Sequence, residues 1–189
     1  MIPSMDASRA VNFHRKDALV VATSSALREW SVVSQRRDLD VDLKDCMDRA
    51  PAVGLGLALA QPGSKVMVLD CDATLRTDLG GLATICESKP DNLVHLVFED
   101  DSYRSTQGLP IRGLDNLDFL AMARSAGYAK TYEFDKLEEL LLGLEEAMVQ
   151  PGPVFVLIKV NREDEMPPMP GRSMAEGWAL VRHTLLADK

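Results

Sequence analysis

The strongest constraint on this chain is a recurrence of short apolar runs, each the length of one buried strand, spaced by stretches that read as helices. Residues 17–22, 65–70, 92–98 and 153–160 are rich in Val, Leu, Ile and Phe, with few polar interruptions. A strand apolar at successive positions is buried on both faces, as in a parallel sheet covered by helices. Residues 26–33, 51–61, 79–88, 117–126 and 136–149 read as those helices, with a short strand at 130–134. Thr23-Ser24-Ser25 and Asp135 stand where helix caps belong, and Pro51 suits a first turn. Ser173 opens a last helix that runs to about Ala187, and the polar stretch 35–48 reads as a solvated connection. The expected fold is α/β, a parallel sheet flanked by helices on both faces. The length of 189 residues suits a single domain over 1–189, with its core at 17–160 and a C-terminal loop and helix at 161–189.

Charge narrows the function. Twenty-nine acidic residues against 21 basic ones give a net charge of −8. That argues against nucleic acid or an anionic membrane as partner, since both reward cationic surface. A small anionic ligand remains open, because backbone N–H groups and a bound cation can supply local positive charge. The 3 cysteines (Cys46, Cys71 and Cys86) have no CxxC spacing, so neither a disulfide framework nor a structural zinc site is expected, and a reducing cytoplasm fits. His14, His95 and His183 are dispersed and read as packed or solvated side chains. Residues 1–17 carry charges and no apolar centre, unlike a secretory signal, and no apolar run has the length of a membrane span.

Two acidic loops follow expected strands, and ligands of open parallel sheets sit at the carboxyl ends of strands. One is Asp70-Cys71-Asp72-Ala73-Thr74 and the other Glu99-Asp100-Asp101-Ser102. Converging carboxylates call for a cation, and magnesium suits one or two carboxylates with phosphate oxygens. Gly54-Leu55-Gly56 lies within a helix before a strand, so it reads as close packing and not as a dinucleotide fingerprint. Ser24 and Ser25 lack a base partner and read as capping residues. Asp70-x-Asp72-x-Thr74 also matches the DxDxT pattern of haloacid-dehalogenase-like phosphatases, a minor alternative with Asp70 as nucleophile. The polar stretch 99–116 is long enough to be functional.

From residue 52 to residue 72, the chain resembles the diphosphate-binding domain of thiamine-diphosphate enzymes, most of all sulfopyruvate and phosphonopyruvate decarboxylases. Leu82-Ala-Thr-Ile85, Asn92-Leu-Val-His95, Tyr103-Arg-Ser-Thr-Gln-Gly108 and Ala126-Gly-Tyr-Ala129 continue the likeness, which covers roughly residues 17–160. The family's metal motif opens Gly-Asp-Gly and closes on an Asn; Asp72 and Asp100 take the Asp and Asn positions, 28 apart. By this resemblance Asp72, Asp100 and the Ser102 carbonyl would hold magnesium. Ser24, Asp48, Cys71, Ala73, Thr74 and Tyr103, with the metal-binding residues, would surround thiamine diphosphate. The sequence departs from the pattern where Gly-Asp-Gly becomes Cys71-Asp72-Ala73, where Met-Gly becomes Met47-Asp48, and where Ala22-Thr-Ser-Ser25 lacks a turn glycine.

The resemblance implies the small subunit of a 2-oxo acid decarboxylase, in which the cofactor serves as electron sink. Its partner would be a pyrimidine-binding subunit, or the chain would form a homodimer. The lost glycines leave an alternative, a non-catalytic homologue acting as structural or regulatory partner.

Overall fold

The computed structural model describes residues 1–100, 117–162 and 165–187, except the Met47 side chain, with the backbone of two short strands at 102–103 and 109–110. The strands are β1 (Ile2–Pro3), β2 (Leu19–Thr23), β3 (Asp40–Leu43), β4 (Val66–Cys71), β5 (Leu93–Glu99), β6 (Ser102–Tyr103), β7 (Leu109–Pro110), β8 (Lys130–Phe134) and β9 (Val154–Asn161). The helices are α1 (Ser4–His14), α2 (Ser24–Val33), α3 (Ala50–Ala60), α4 (Asp72–Thr77), α5 (Gly80–Ser88), α6 (Phe119–Ala126), α7 (Leu137–Val149) and α8 (Met174–Ala187).

Seven strands form one sheet in the order β3-β2-β4-β5-β9, with β8 and β1 placed end to end along the outer edge of β9. Every pairing in it is parallel. Alternate residues of each central strand enter opposite layers. Val20, Met67, Leu69, Leu96 and Val156 pack with Leu27, Trp30 and Leu140, on the side of α1, α2 and α7. Leu19, Val68, Leu93, Val97 and Leu157 pack with Leu55, Ile85, Phe119 and Val181, from α3, α5, α6 and α8. The expected α/β architecture is the one observed. Among the described residues no helix is long and apolar enough to cross a membrane.

Helix α3 packs closely because of Gly54, where an added Cβ would lie 2.2 Å from Val68 Cγ2. Gly56 meets nothing within 4 Å, so the packing reading holds for only one of these two glycines.

Several local expectations change. Residues 40–43, read as part of a solvated connection, form the buried strand β3. Its acids are buried and paired with arginines instead of solvated: Asp40 meets Arg15 Nη1 at 2.8 Å and Arg37 Nη1 at 3.1 Å, and Asp42 meets Arg37 Nη2 at 2.6 Å and Arg172 Nη2 at 3.1 Å. Residues 4–14, given no structure from sequence, form α1. The expected helix at 79–88 is preceded by a separate one, α4, that starts on Asp72. Asp135 does not cap α7; the N-cap position falls to Lys136, with no side-chain cap. Ser173 does cap α8, its Oγ accepting from the Glu176 N–H at 3.2 Å.

Beyond β9 the chain crosses the carboxyl edge of the sheet, and the body holds it by its carbonyls. Arg28 donates to the Pro167 carbonyl and, at 3.2 Å, to that of Met166. Lys44 Nζ donates to the Pro170 carbonyl at 2.6 Å. Arg172 returns the tie, donating to the Arg37 and Asp40 carbonyls at 2.7 and 2.9 Å.

Candidate functional site

Strands β4 and β5 run side by side with Cys71 opposite Phe98, so residues 72 and 100 leave the sheet from neighbouring ends. The Asp72 carboxylate is buried and ties the two loops together. Its Oδ1 accepts from the Ala73 N–H at 2.7 Å and its Oδ2 from the Asp100 N–H at 3.0 Å. The two loops thus meet through the Asp72 carboxylate and the Asp100 backbone N–H.

A cation also enters the site, one that sequence reading missed. Arg162 directly follows β9, and its side chain is only 1% exposed. Its Nη1 lies 2.9 Å from Asp100 Oδ1, its Nε donates to Glu29 Oε1 at 3.2 Å, and its Nη2 lies 3.9 Å from Cys71 Sγ. Glu29, on α2, is itself held by the Ser4 hydroxyl at 2.5 Å. Burial alone would weaken the guanidinium's charge, but the Glu29, Asp100 and Asp72 carboxylates facing it raise its pKa above the usual arginine value. The signal for this residue was an arginine placed at the carboxyl end of a buried strand, facing loops with an excess of acids.

Cys71 lies at the point where the chain order reverses, between β2 and β4, the position where open α/β sheets form their crevice. Its buried thiol accepts from the Thr74 N–H in the first turn of α4. Burial pushes that thiol up to about 12, so it stays protonated at neutral pH. Nearby, Ser24 holds φ at +53°, the left-handed region that favours glycine, so the backbone keeps a glycine's path without the glycine. Thr23, at the N-cap position, makes no side-chain cap and donates its hydroxyl to the Leu43 carbonyl at 3.2 Å.

Behind this crevice lies a second buried set. Asp70 Oδ1 accepts from the Cys71 N–H at 2.8 Å and from the Thr74 hydroxyl. Its Oδ2 is 3.3 Å from His95 Nε2, and His95 Nδ1 is 3.0 Å from the Tyr128 hydroxyl. Burial raises the Tyr128 hydroxyl well above its usual pKa. Asp70 is fully buried with both oxygens engaged, so the phosphatase reading, which needs Asp70 as an open nucleophile, does not hold. Thr74 serves as a strut for Asp70.

The remaining site candidates spread out. Ala73 follows Asp72 in α4, and Asp48 sits in the 3-10 turn Met47–Arg49, 3.3 Å from Arg49 Nη2 on a largely exposed surface. Ser102 and Tyr103 appear only as the backbone of β6, paired antiparallel with β7. The side chains of Ser102 and Tyr103 and most of the 99–116 loop lie outside the described residues, while the Ser102 carbonyl belongs to the backbone of β6.

As placed, these residues do not fit a magnesium ion. Asp100 is paired with a buried guanidinium that would face the ion with like charge. Among the described residues, no group of three or more His, Cys, Asp or Glu side chains could hold a metal.

The comparisons bear on the same elements. The family model for "Thiamine pyrophosphate enzyme, C-terminal TPP binding domain" matches residues 22–158. The chain is 34% identical over 147 residues to a phosphonopyruvate decarboxylase of Streptomyces viridochromogenes, covering 77% of this chain and 36% of that protein. It is 35% identical over 115 residues to the sulfopyruvate decarboxylase subunit beta of Methanothermobacter thermautotrophicus, covering 61% of this chain and 58% of that one. This chain therefore spans about a third of the one relative and just over half of the other. The structure of benzoylformate decarboxylase from Polynucleobacter necessarius superposes with a TM-score of 0.67 over 85% of this chain and 34% of that one, at 18% identity, a likeness of fold. With the family match running from the end of β2 into β9 and enclosing Cys71, Asp72 and Asp100, the chain belongs to the family of the thiamine pyrophosphate enzyme C-terminal TPP binding domain.

Proposed function

We propose that this chain is the diphosphate-binding subunit of a thiamine-diphosphate-dependent 2-oxo acid decarboxylase of the sulfopyruvate or phosphonopyruvate type. It forms one functional unit, with its core at 17–160, that assembles with a pyrimidine-binding subunit or with a second copy of itself. The observation that carries the reading is the joining of the two acidic loops through Asp72 and the Asp100 N–H, inside the stretch that matches the family. Ser24, Asp48, Ala73, Thr74, Ser102 and Tyr103 are the further residues assigned to the cofactor's surroundings. A cytoplasmic setting is supported by three unpaired cysteines, two of them buried.

A specific observation favours a second reading, a non-catalytic homologue that regulates or supports a partner. Cys71 and Arg162 bring side chains and charge into the crevice that the relatives' pattern leaves to the cofactor and its cation.

Co-purification with a candidate pyrimidine-binding subunit, followed by CO2 release from sulfopyruvate and phosphonopyruvate with added cofactor, tests the main reading. Turnover by the assembled pair is expected. A stable pair without turnover, unrescued by the double change Cys71→Gly with Ala73→Gly, would leave the regulatory reading.

A further inference from the structure

We propose that the Arg162 guanidinium is the resident cation of this crevice, joining the two acidic loops where a divalent ion would otherwise do so. The inference rests on reading the crevice as a diphosphate-type site; it does not depend on turnover.

Three features of the geometry carry it. The side chain is almost wholly buried, and an arginine removed from water needs partners on all sides. Its partners come from separate elements: Glu29 from α2, Asp100 from the end of β5 and Cys71 from the end of β4. A planar, permanently charged fork can reach three such groups at once, which a lysine ammonium or a hydrated ion does less well. Asp100, which the family resemblance assigns to metal, is also the residue that both Arg162 and Asp72 engage. The guanidinium therefore covers the metal's expected ligand and contributes its charge. A covalently attached cation cannot be removed by a chelator, so the loops should stand without added metal.

Thermal melting of the full chain decides this. The wild type is expected to melt at the same temperature in EDTA and in millimolar magnesium, calcium or manganese chloride. In EDTA, Arg162→Gln is expected to melt lower by about 6–20 °C, the cost of leaving buried acids without their cation. It should then gain a saturable rise with the divalent ion, a rise lost again in Arg162→Gln with Asp100→Asn. Arg162→Lys keeps a positive charge; it is expected to fold and to remain indifferent to metal.

A saturable metal-dependent rise in the wild type, or manganese binding to it by electron paramagnetic resonance that Asp72→Ala abolishes, would overturn the proposal. So would a folded Arg162→Gln protein that ignores metal. If Arg162→Gln fails to fold, the wild-type and Arg162→Lys arms still decide, since a metal response in either contradicts a filled position. Failure of the assembled pair to release CO2 would sink the functional reading and leave every melting outcome unchanged.

Discussion

Cys71 has its buried thiol between the Thr74 N–H and the Arg162 guanidinium, and both its reactivity and its titration follow from that setting. Because the thiol is buried and stays protonated, iodoacetamide at pH 8 is expected to label the partly exposed Cys46 and to spare Cys71 in the folded protein. Peptide mass spectrometry after brief labelling reads this out, and rapid labelling of Cys71 would contradict the packing described. The same burial has a pH consequence. A thiol whose pKa rises from 9.0 to about 12 on folding favours the native state fully below pH 9, and that contribution is lost as pH climbs toward 12. Cys86 and Tyr128 shift in the same direction, so Cys71→Ala should flatten part of the alkaline loss seen in denaturant melts and not all of it. Asp72→Ala should cost about 2–4 kcal/mol by urea unfolding, since it strands two N–H groups that now donate to a carboxylate. Unchanged stability would mean that another group takes over those donors.

Among the elements, β4, β5 and β9 were legible because Val, Leu and Ile fill both of their faces, and only burial explains such runs. Strand β3 was not legible. Asp40-Val41-Asp42-Leu43 alternates acid with aliphatic, which looks like a wet edge until two distant arginines, Arg15 and Arg172, are known to face it beside the neighbouring Arg37. The site divides in the same way. Asp72 and Asp100 could be paired from sequence through the family's metal motif, whose Asp and Asn positions they take 28 residues apart. Arg162 pairs with Glu29 across 133 positions, and no local pattern encodes a contact of that range. Helix α3 offers a sharper test of packing. Gly54→Ala should destabilise by about 1–3 kcal/mol through the Val68 methyl it would meet, and Val68→Ala should relieve much of that. Gly56→Ala, facing open space, should be neutral or slightly stabilising through helix propensity. Equal costs at the two positions in denaturant melts would refute the assignment of close approach to Gly54 alone.

At the scale of the whole molecule, the crevice sits where strand order reverses, and cations on the body hold the segment that crosses the sheet's carboxyl edge. The proposed assembly is read by light scattering: a homodimer, or a heteromer once the pyrimidine-binding partner is added, is expected at micromolar concentration. A monomer under both conditions would count against it. The crossing segment has a consequence for how the sequence can drift. Arg28 and Lys44 grasp it by main-chain carbonyls, which any residue supplies. Swapping Met166 or Pro168 should therefore leave the path intact, while Arg28→Ala or Lys44→Ala should hasten trypsin cleavage at Arg172. Among descendants of this chain, the prolines and methionines of that crossing could be rewritten freely, and the basic residues that grip it would be the last to change.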